Sequence, residues 1–305
     1  MTVSGTSASP AGRSFGAPTP DQVAALCADP RFPAARRRIV TGLVGHFRGN
    51  RIVNRVLNDR GRILMGLLIL DLHFNGEADG GLTATRLKQV CAETGVCSPG
   101  RVTAMLGIMR LFDFITDRPG PDRRVRRLVP TGRLLAVHRE RWRHFFEALS
   151  LLGHDGAAAQ DRLDDPAFVA PLLGAMAGMF RGGMRVTDYV PELAPIVRRD
   201  GGLMIVLSIA LAGEAGRADA AGPVDLTISA MAKRFAVSRG HVLSVLRDAE
   251  QQGLITRTGP RGEGISATPA LRDTVDRFAA AALLIHVASV RAALSGFAAP
   301  NRAYG

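Results

Sequence analysis

The strongest constraint on the fold of this chain is a set of short matches that repeat at a nearly constant offset. Four pairs of segments share residue types and keep their order, with offsets between 133 and 141 residues: 29–34 with 165–170, 47–49 with 180–182, 59–61 with 200–202, and 98–102 with 238–242. Colinear pairs of this kind predict an internal duplication. We therefore expect a flexible tail at 1–20, a first repeat at 21–160 and a second, degenerate repeat at 161–305.

Composition places the chain among globular proteins. Its 305 residues suffice for two ordinary domains, and a hydrophobic content of 47% can fill real cores. The longest apolar runs, at 63–70, 202–213 and 278–290, are shorter than the ~20 residues that a bilayer span needs. We therefore predict no transmembrane helix and no membrane partner.

The N-terminal segment and the cysteines bear on location. Residues 1–20 lack a basic stretch followed by an apolar one, so they indicate a tail rather than a signal peptide. The three cysteines, Cys27, Cys91 and Cys97, are too few and too odd in number for a disulfide framework, and they fit a reducing compartment. We expect a cytoplasmic protein.

The basic charge is concentrated in one half of the chain. Residues 1–152 hold 23 Lys and Arg against 12 Asp and Glu, whereas residues 153–305 hold 16 against 15. The first half therefore carries a net charge of +11 out of the total of +12. Such a charge attracts nucleic acid, an anionic membrane or an acidic partner, so it narrows the class of ligand without naming it.

The segment 82–113 has the pattern of a helix-turn-helix. A helix is predicted to begin near Thr83, Gly95 supplies a turn, and Ser98 with Pro99 gives the usual start signal of a second helix. Apolar residues then recur at helical spacing: Val102, Leu106 and Met109. This second helix is the candidate recognition helix.

Two basic strands are predicted to follow as a wing. A strand at 114–117, a Pro/Gly turn at 119–122 and a return strand at 123–129 give a shape suited to phosphate or minor-groove contact. The second repeat is predicted to contain the same elements, with helices at 226–235 and 238–252, a wing beginning at 254, a nearly neutral tip at 259–264 and a closing helix at 271–294. The fold class is therefore mainly α with small β-wings, built as two winged helix-turn-helix units.

The first wing resembles that of the MarR family of bacterial winged-helix regulators. An Asp-x-Arg, a strand and a Thr-Gly turn occur here at 122–132. The resemblance implies that the flanking helices serve dimerisation, that the second motif helix enters the major groove, that Arg124 reaches the minor groove, and that a small-molecule effector binds between the helical layer and the winged units. Since MarR-like proteins are usually homodimers of chains about half this long, it also implies a fused pseudo-dimer with a pseudo-twofold axis. The second repeat lacks Asp-x-Arg and has only Arg261 at its wing tip.

Candidate DNA contacts follow from these assignments. In the first unit they are Ser98, Arg101, Thr103, Arg110, Arg123, Arg124, Arg126 and Arg127, and in the second Ser238, Arg239, His241, Ser244, Arg247 and Arg261. Arg101 is best placed, because recognition helices commonly present their first turn to the bases. Two alternatives are structural: Arg110 could pair with Asp113 or water, and His241 could face solvent without a partner.

Catalytic, metal and redox chemistry are less well supported by the sequence. Cys91 and Cys97 could form a redox switch, but burial in the core is the better interpretation for a cysteine on an apolar face. Glu140 and His144 lie four residues apart and could share a metal, although a surface pair explains them equally. The glycines at 259–264 lie between two predicted strands, which is the wrong context for a phosphate loop. We expect no metal, no cofactor and no enzymatic activity.

The sequence thus predicts a DNA-binding transcriptional regulator, with repression by occlusion as the default mechanism. Its partners would be double-stranded DNA and a small-molecule effector, and it would act as a monomeric pseudo-dimer or as a homodimer. The first half would supply most of the electrostatic affinity for an asymmetric or pseudo-palindromic operator. Two alternatives remain: a plasmid-type replication initiator, and a tandem winged-helix scaffold that binds other proteins.

Overall fold

Helices dominate the structure, a computed structural model that describes residues 16–46, 60–119, 126–215, 226–258 and 264–297. Each half of the described chain also contains one two-stranded antiparallel sheet, β1 with β2 and β3 with β4. The prediction of a mainly α protein with small β elements is therefore confirmed.

The first half begins with helices α1 to α3 at Pro20–Cys27, Phe32–His46 and Arg60–Asn75. A 3₁₀ turn at Glu77–Asp79 leads to α4 at Ala84–Glu93 and α5 at Pro99–Leu111. Strands β1 and β2 at Ile115–Pro119 and Arg126–Pro130 precede α6 at Gly132–Leu151. The predicted start signals are real, because the Thr83 and Ser98 hydroxyls accept the backbone amides of Arg86 and Arg101 at 3.1 and 3.4 Å.

The second half has a similar order of elements. It contains α7 at Gly156–Gln160, α8 at Pro166–Arg181, 3₁₀ turns at Val186–Tyr189 and Pro191–Leu193, α9 at Ala194–Val197, α10 at Gly202–Ala215, α11 at Ile228–Phe235, α12 at Arg239–Gln251, strands β3 and β4 at Ile255–Thr258 and Gly264–Ala267, and α13 at Pro269–Ser295. Helix α7 follows α6 after a short turn. It packs on α6, and a side chain at Gly156 would collide with the Phe146 carbonyl.

The same hydrogen bonds occur in both of the predicted helix-turn-helix units. The Thr131 hydroxyl donates to the carbonyl of Asp113 at 2.7 Å, and the Thr268 hydroxyl donates to that of Gly253 at 2.8 Å. The backbone amides of these two threonines donate to the next carbonyls, those of Phe114 and Leu254, at 3.0 and 3.1 Å. Each threonine therefore fixes the start of a long helix to the turn that follows the preceding pair of helices.

Both units also adopt left-handed backbone at matching points. Between the two motif helices, Gly95 has φ +67° in the first unit and Ala236 has φ +54° in the second. After the second motif helix, Asp113 has φ +57° and Gly253 has φ +69°. Glycine adopts this conformation freely, whereas the side chains of Ala236 and Asp113 make it costly.

The helices outside these units pack reciprocally between the two halves. Helix α2 contacts α6 within the first half, and α8 contacts α13 within the second. Across the halves, α3 contacts α8 while α10 contacts α2. Buried side chains from both halves, including Phe32 and Phe168, belong to one continuous core.

Polar links accompany this cross-half packing. Asp71 on α3 is buried and pairs with Arg181 on α8, while the Asn75 amide donates to Asp71 and to the Ala170 carbonyl, each at 2.9 Å. On the reciprocal side, Arg36 on α2 lies 2.8 Å from Glu214 on α10 and 3.0 Å from Asp276 on α13. Charged side chains thus join the halves at two separate places.

The length predicted for the apolar segment at 278–290 needs one correction. The run at 278–290 lies within α13, whose 27 residues are long and apolar enough to cross a bilayer by length and composition. However, 61% of the most apolar window of this helix is buried inside the protein. That burial is typical of a core helix, because the apolar side chains already have protein neighbours.

Candidate nucleic-acid interface

Helix α5 separates a buried face from an exposed one. Val102, Leu106 and Met109 point into the core as predicted, and Met105 joins them. The exposed positions include Arg101, Thr103, Ala104 and Gly107. Ala104 and Gly107 present little side-chain bulk, so another molecule can approach the backbone of this face closely.

Local bonds occupy the hydroxyls of α5 that the sequence proposed for DNA contact. Ser98 caps the helix, and the Thr103 hydroxyl donates to the Pro99 carbonyl at 3.0 Å. A hydroxyl oxygen keeps acceptor capacity after such a bond, so neither residue is excluded from a further contact. Arg101 is exposed in the first turn, where the sequence placed it.

Arg110 has a specific partner that the sequence did not identify. Its guanidinium donates to both carboxylate oxygens of Asp117, at 2.8 and 3.0 Å, and these bonds lower the pKa of Asp117 below its ordinary value. The proposed partner Asp113 was wrong, because the left-handed turn at Asp113 brings β1 back beside the end of α5. This pair ties the candidate recognition helix α5 to β1 and holds the Arg110 guanidinium in a fixed position.

Strands β1 and β2, which the sequence predicted as a wing, present several arginines. Arg126 is exposed, whereas Arg127 is half-buried and lies 3.5 Å from Glu77. Arg118 on β1 is also exposed and lies opposite Arg127 in the strand register, a residue that the sequence analysis missed. Its basic character, directly after the strand predicted at 114–117, was the available signal. Arg123 and Arg124, proposed for the wing tip, lie outside the described residues.

The second unit presents its candidate contacts differently. Arg239 and Arg247 are exposed on α12, whereas the Ser244 hydroxyl donates to the Gly240 carbonyl at 3.0 Å and Ser238 caps the helix. His241 is half-buried, and its Nε2 lies 2.8 Å from the Asp200 carbonyl. The alternative that His241 faces solvent without a partner was therefore wrong. Arg261 lies outside the described residues.

Helix α12 is also fastened to the helical body. Arg199, just after α9, forms a two-pronged ion pair with Asp248 on α12. Helices α9 and α10 both pack against α12, whereas α5 packs chiefly on α4 and β1. The second candidate recognition helix therefore has a larger share of its surface committed to contacts within the protein.

The neighbours of Cys91, and those of the proposed metal pair Glu140 and His144, favour packing and surface pairing over chemical roles. Cys91 is fully buried, and burial, with a smaller effect of Cys97, raises the pKa of its thiol to about 12. This supports the packing interpretation rather than a reactive thiolate. Glu140 lies 3.8 Å from His144 and 3.0 Å from Arg143. Within the described ranges, no group of three His, Cys, Asp or Glu side chains could hold a metal ion.

A central cavity of about 220 Å³ lies among the helices, and no local sequence pattern identified the residues that line it. Helices α2, α3, α6, α8, α9, α10 and α13 contribute to its lining, with mainly apolar side chains such as Leu64, Phe145 and Met176 in its wall. Arg141 and His286 also line it, although each belongs to a helix with a strongly apolar face. Their meeting in one cavity depends on how several helices pack, so it left no signature in the local pattern.

Comparisons with known proteins do not identify the family or the function of this chain. No protein-family model, curated protein or solved structure matches this chain. The likeness of the first wing to the MarR family therefore stays a prediction.

Proposed function

We propose that this protein is a DNA-binding transcriptional regulator that uses two unequal winged-helix units in one chain. It acts in the cytoplasm as a binding protein rather than an enzyme, and it represses by occluding its operator. The observation that carries this proposal is the exposed face of α5, which stands beside a strand pair bearing Arg118 and Arg126. Such a surface combines a helix that fits a major groove with cations for the adjacent phosphates.

The repeated local geometry supports the origin of the two units by duplication. Thr131 and Thr268 make equivalent hydrogen bonds, and the left-handed residues occur at matching points. The reciprocal packing of α3 on α8 and of α10 on α2 supports a pseudo-twofold arrangement. A fused pseudo-dimer of MarR-like modules has this organisation, with the flanking helices in the place of a dimer interface.

The two units are proposed to contribute unequally to DNA binding. In the first unit, α5 presents Arg101 on an exposed face, and this half of the chain carries nearly all of the net positive charge. In the second, Asp248 and His241 fasten α12 to the body through Arg199 and the Asp200 carbonyl. We therefore expect an asymmetric operator, with half-sites about one helical turn apart.

A salt-titrated binding assay on duplex DNA from upstream of the protein's own coding sequence tests this proposal. Arg101→Ala should weaken specific binding by about tenfold or more, because a base contact from arginine contributes about 1–3 kcal/mol. Arg126→Ala should weaken binding to all sequences and reduce the salt slope by about one. Arg291→Ala removes the same charge from an exposed position on α13 and should change affinity less than about twofold.

The outcomes separate the competing functions. If the wild-type protein binds no duplex DNA at low salt, the proposal fails and a protein-binding scaffold becomes the better assignment. Binding that requires iterated repeats would instead favour a replication initiator. If Arg247→Ala on α12 weakens binding as much as Arg101→Ala, the two units are equivalent and the asymmetry is refuted.

A further inference from the structure

The ion pair between Arg110 and Asp117 has a charge-reversed counterpart in the second unit. Helices α5 and α12 begin at residues 99 and 239, and strands β1 and β3 begin at 115 and 255, so both are in register at an offset of 239 − 99 = 140 residues. At this offset Arg110 corresponds to Glu250, and Asp117 corresponds to Arg257. Glu250 and Arg257 also pair, with Oε2 and Nη1 3.9 Å apart. The helix therefore carries the cation of the pair in the first unit and the anion in the second.

The pair in the first unit uses one edge of the guanidinium. Nε and Nη2 of Arg110 donate to the two carboxylate oxygens of Asp117 at 2.8 and 3.0 Å. A guanidinium has five N–H groups, so three remain, two on Nη1 and one on Nη2. Within the described ranges these three have no hydrogen-bond partner, and the side chain of Arg110 is 39% exposed. The edge between Nη1 and Nη2, with two parallel N–H groups, is therefore open to a ligand.

The carboxylate of Asp117 holds this edge in one orientation. The hydrogen bonds from Arg110 lower the pKa of Asp117 below its ordinary value, so the carboxylate is ionised at neutral pH and the pair is maintained. A mobile arginine side chain loses conformational entropy when it binds, whereas one that is already fixed loses less. Asp117 therefore prepares Arg110 for a specific contact.

The net charge of the pair decides which part of DNA it fits. Arg110 and Asp117 together are neutral, so a phosphate at the open edge gains little net electrostatic attraction from the pair. Guanine presents two neutral acceptors, O6 and N7, which match two parallel N–H groups. Cations for the phosphates are available nearby, because Arg118 and Arg126 on β1 and β2 are exposed. The pair therefore favours a base edge over a phosphate.

The exposed face of α5 allows this edge to approach the bases. Gly100, Ala104 and Gly107 recur at intervals of four and three residues, so they share one face of the helix, and all three are exposed. Their small size allows the helix backbone to lie deep in a groove. Arg110, three residues after Gly107, lies at the side of this face that adjoins β1. A side chain in that position reaches the base edges when the helix lies deep.

The second unit lacks the same donors on its helix. The side chain of Glu250 is 42% exposed, and its carboxylate has no hydrogen to donate to guanine O6 and N7. The side chain of Arg257 is on the strand and only 18% exposed. The corresponding position of α12 therefore cannot make the contact that Arg110 can make from α5.

We propose that Arg110 contacts a guanine in the half-site of the first unit, that Asp117 is the positioning residue for this contact, and that the reversed pair of the second unit confines the contact to one half-site. This inference rests on the proposed function, and it adds a base that distinguishes the two half-sites.

Selection from a library of duplexes with about 20 randomised base pairs, enough for two half-sites, measures base preference without a known operator. The wild-type protein should prefer guanine at one position of one half-site by about tenfold. Arg110→Lys keeps the charge but lacks the two-pronged edge, so it should abolish this preference and keep the affinity for unrelated duplex within about twofold.

The positioning role of Asp117 has its own signature. Asp117→Asn removes the carboxylate charge and one of the two acceptors, which frees the guanidinium. The guanine preference should fall by about threefold or more, because Arg110 is no longer fixed. The affinity for unrelated duplex should rise, with a salt slope steeper by about one, because the cation is no longer neutralised. A substitution that only destabilised the protein would lower both affinities.

Two control variants separate recognition from structure. The double variant Arg110→Glu with Asp117→Arg reproduces the arrangement of the second unit and keeps an ion pair between α5 and β1. It should lose the guanine preference although its urea midpoint stays near that of the wild-type protein. Asp113→Asn removes a carboxylate from an exposed position just after α5 and leaves the pair intact, so it should keep the preference.

The outcomes distinguish this inference from the proposed function. A guanine preference that survives Arg110→Lys or the double variant would overturn the inference and leave the proposed function standing. The same holds if Asp117→Asn weakens binding to selected and unrelated duplexes by the same factor. If the wild-type protein binds no duplex DNA at low salt, the proposed function fails, and the guanine contact fails with it.

Discussion

The pair between Asp71 and Arg181 offers a direct test of how the two halves are held together. It joins α3 to α8, and its partners differ greatly in exposure: the Asp71 side chain is 3% exposed and that of Arg181 is 40% exposed. Removing the arginine leaves a buried carboxylate with Asn75 as its remaining described hydrogen-bond partner, whereas removing the carboxylate leaves a cation that water can reach. The two single substitutions should therefore have unequal costs.

The magnitudes follow from this difference in burial. Arg181→Met should lower the free energy of unfolding by about 3 kcal/mol, the lower end of the cost of stranding a buried charge, because the pair is partly solvated. Asp71→Asn should cost about 1.5 kcal/mol, the lower end of the range for a hydrogen bond to a charged group, because water can reach the arginine that is left. The double variant should cost clearly less than the sum, with a coupling energy of about 2 kcal/mol, since the buried group is then neutral.

Urea unfolding followed by circular dichroism measures these free energies. The shift in the urea midpoint is converted to a free energy with the same denaturant slope m for each variant. Arg143→Met is the matched control. This arginine is exposed to a similar extent as Arg181, at 47%, but its partner Glu140 is 49% exposed rather than buried. A surface pair of that kind should contribute less than 1 kcal/mol. If Arg181→Met costs no more than Arg143→Met, burial of the partner does not decide the energy and the reasoning is refuted.

Three further predictions concern the backbone, pH and thiols. Ala236→Gly and Asp113→Gly should each raise the free energy of unfolding by about 0.5–1 kcal/mol, because the relief of left-handed strain exceeds the entropy cost of glycine. Thermal or urea unfolding measures this change, and destabilisation by both substitutions would contradict the prediction. Burial, then Arg141, lowers the pKa of His286 to about 3, so the unfolded chain binds more protons between about pH 3 and 6.5 and stability falls as the pH drops through that window. His286→Gln should reduce this slope by up to about 1.4 kcal/mol per pH unit in urea titrations at pH 7.5 and 5.5, and an unchanged slope would show that the imidazole is not buried in its neutral form. Cys91 should stay unmodified by a thiol reagent at pH 8 in the native protein, and mass spectrometry that found it labelled at the rate of the unfolded chain would place it outside the core.

The sequence determined the local elements by itself. The start of α5 follows from Ser98 and Pro99, which cap and preset the first turn, and its buried face follows from the spacing of Val102, Leu106 and Met109. The colinear matches predicted two similar sets of elements, and the structure places helices and strands at both. These features depend on residues within a few positions of one another, so a linear pattern is sufficient to reveal them.

The tertiary structure alone decided which distant groups meet. Arg110 pairs with Asp117 rather than Asp113 because a left-handed turn reverses the chain, and His241 meets a carbonyl 41 residues away. The link between Asp71 and Arg181 spans 110 residues, and Arg141 and His286 line one cavity because α6 and α13 converge there with other helices. Such contacts depend on how helices pack in three dimensions, which the hydrophobic period of each helix leaves undetermined. The identity of the partners, and with it the chemistry of the cavity, is therefore a property of the folded chain.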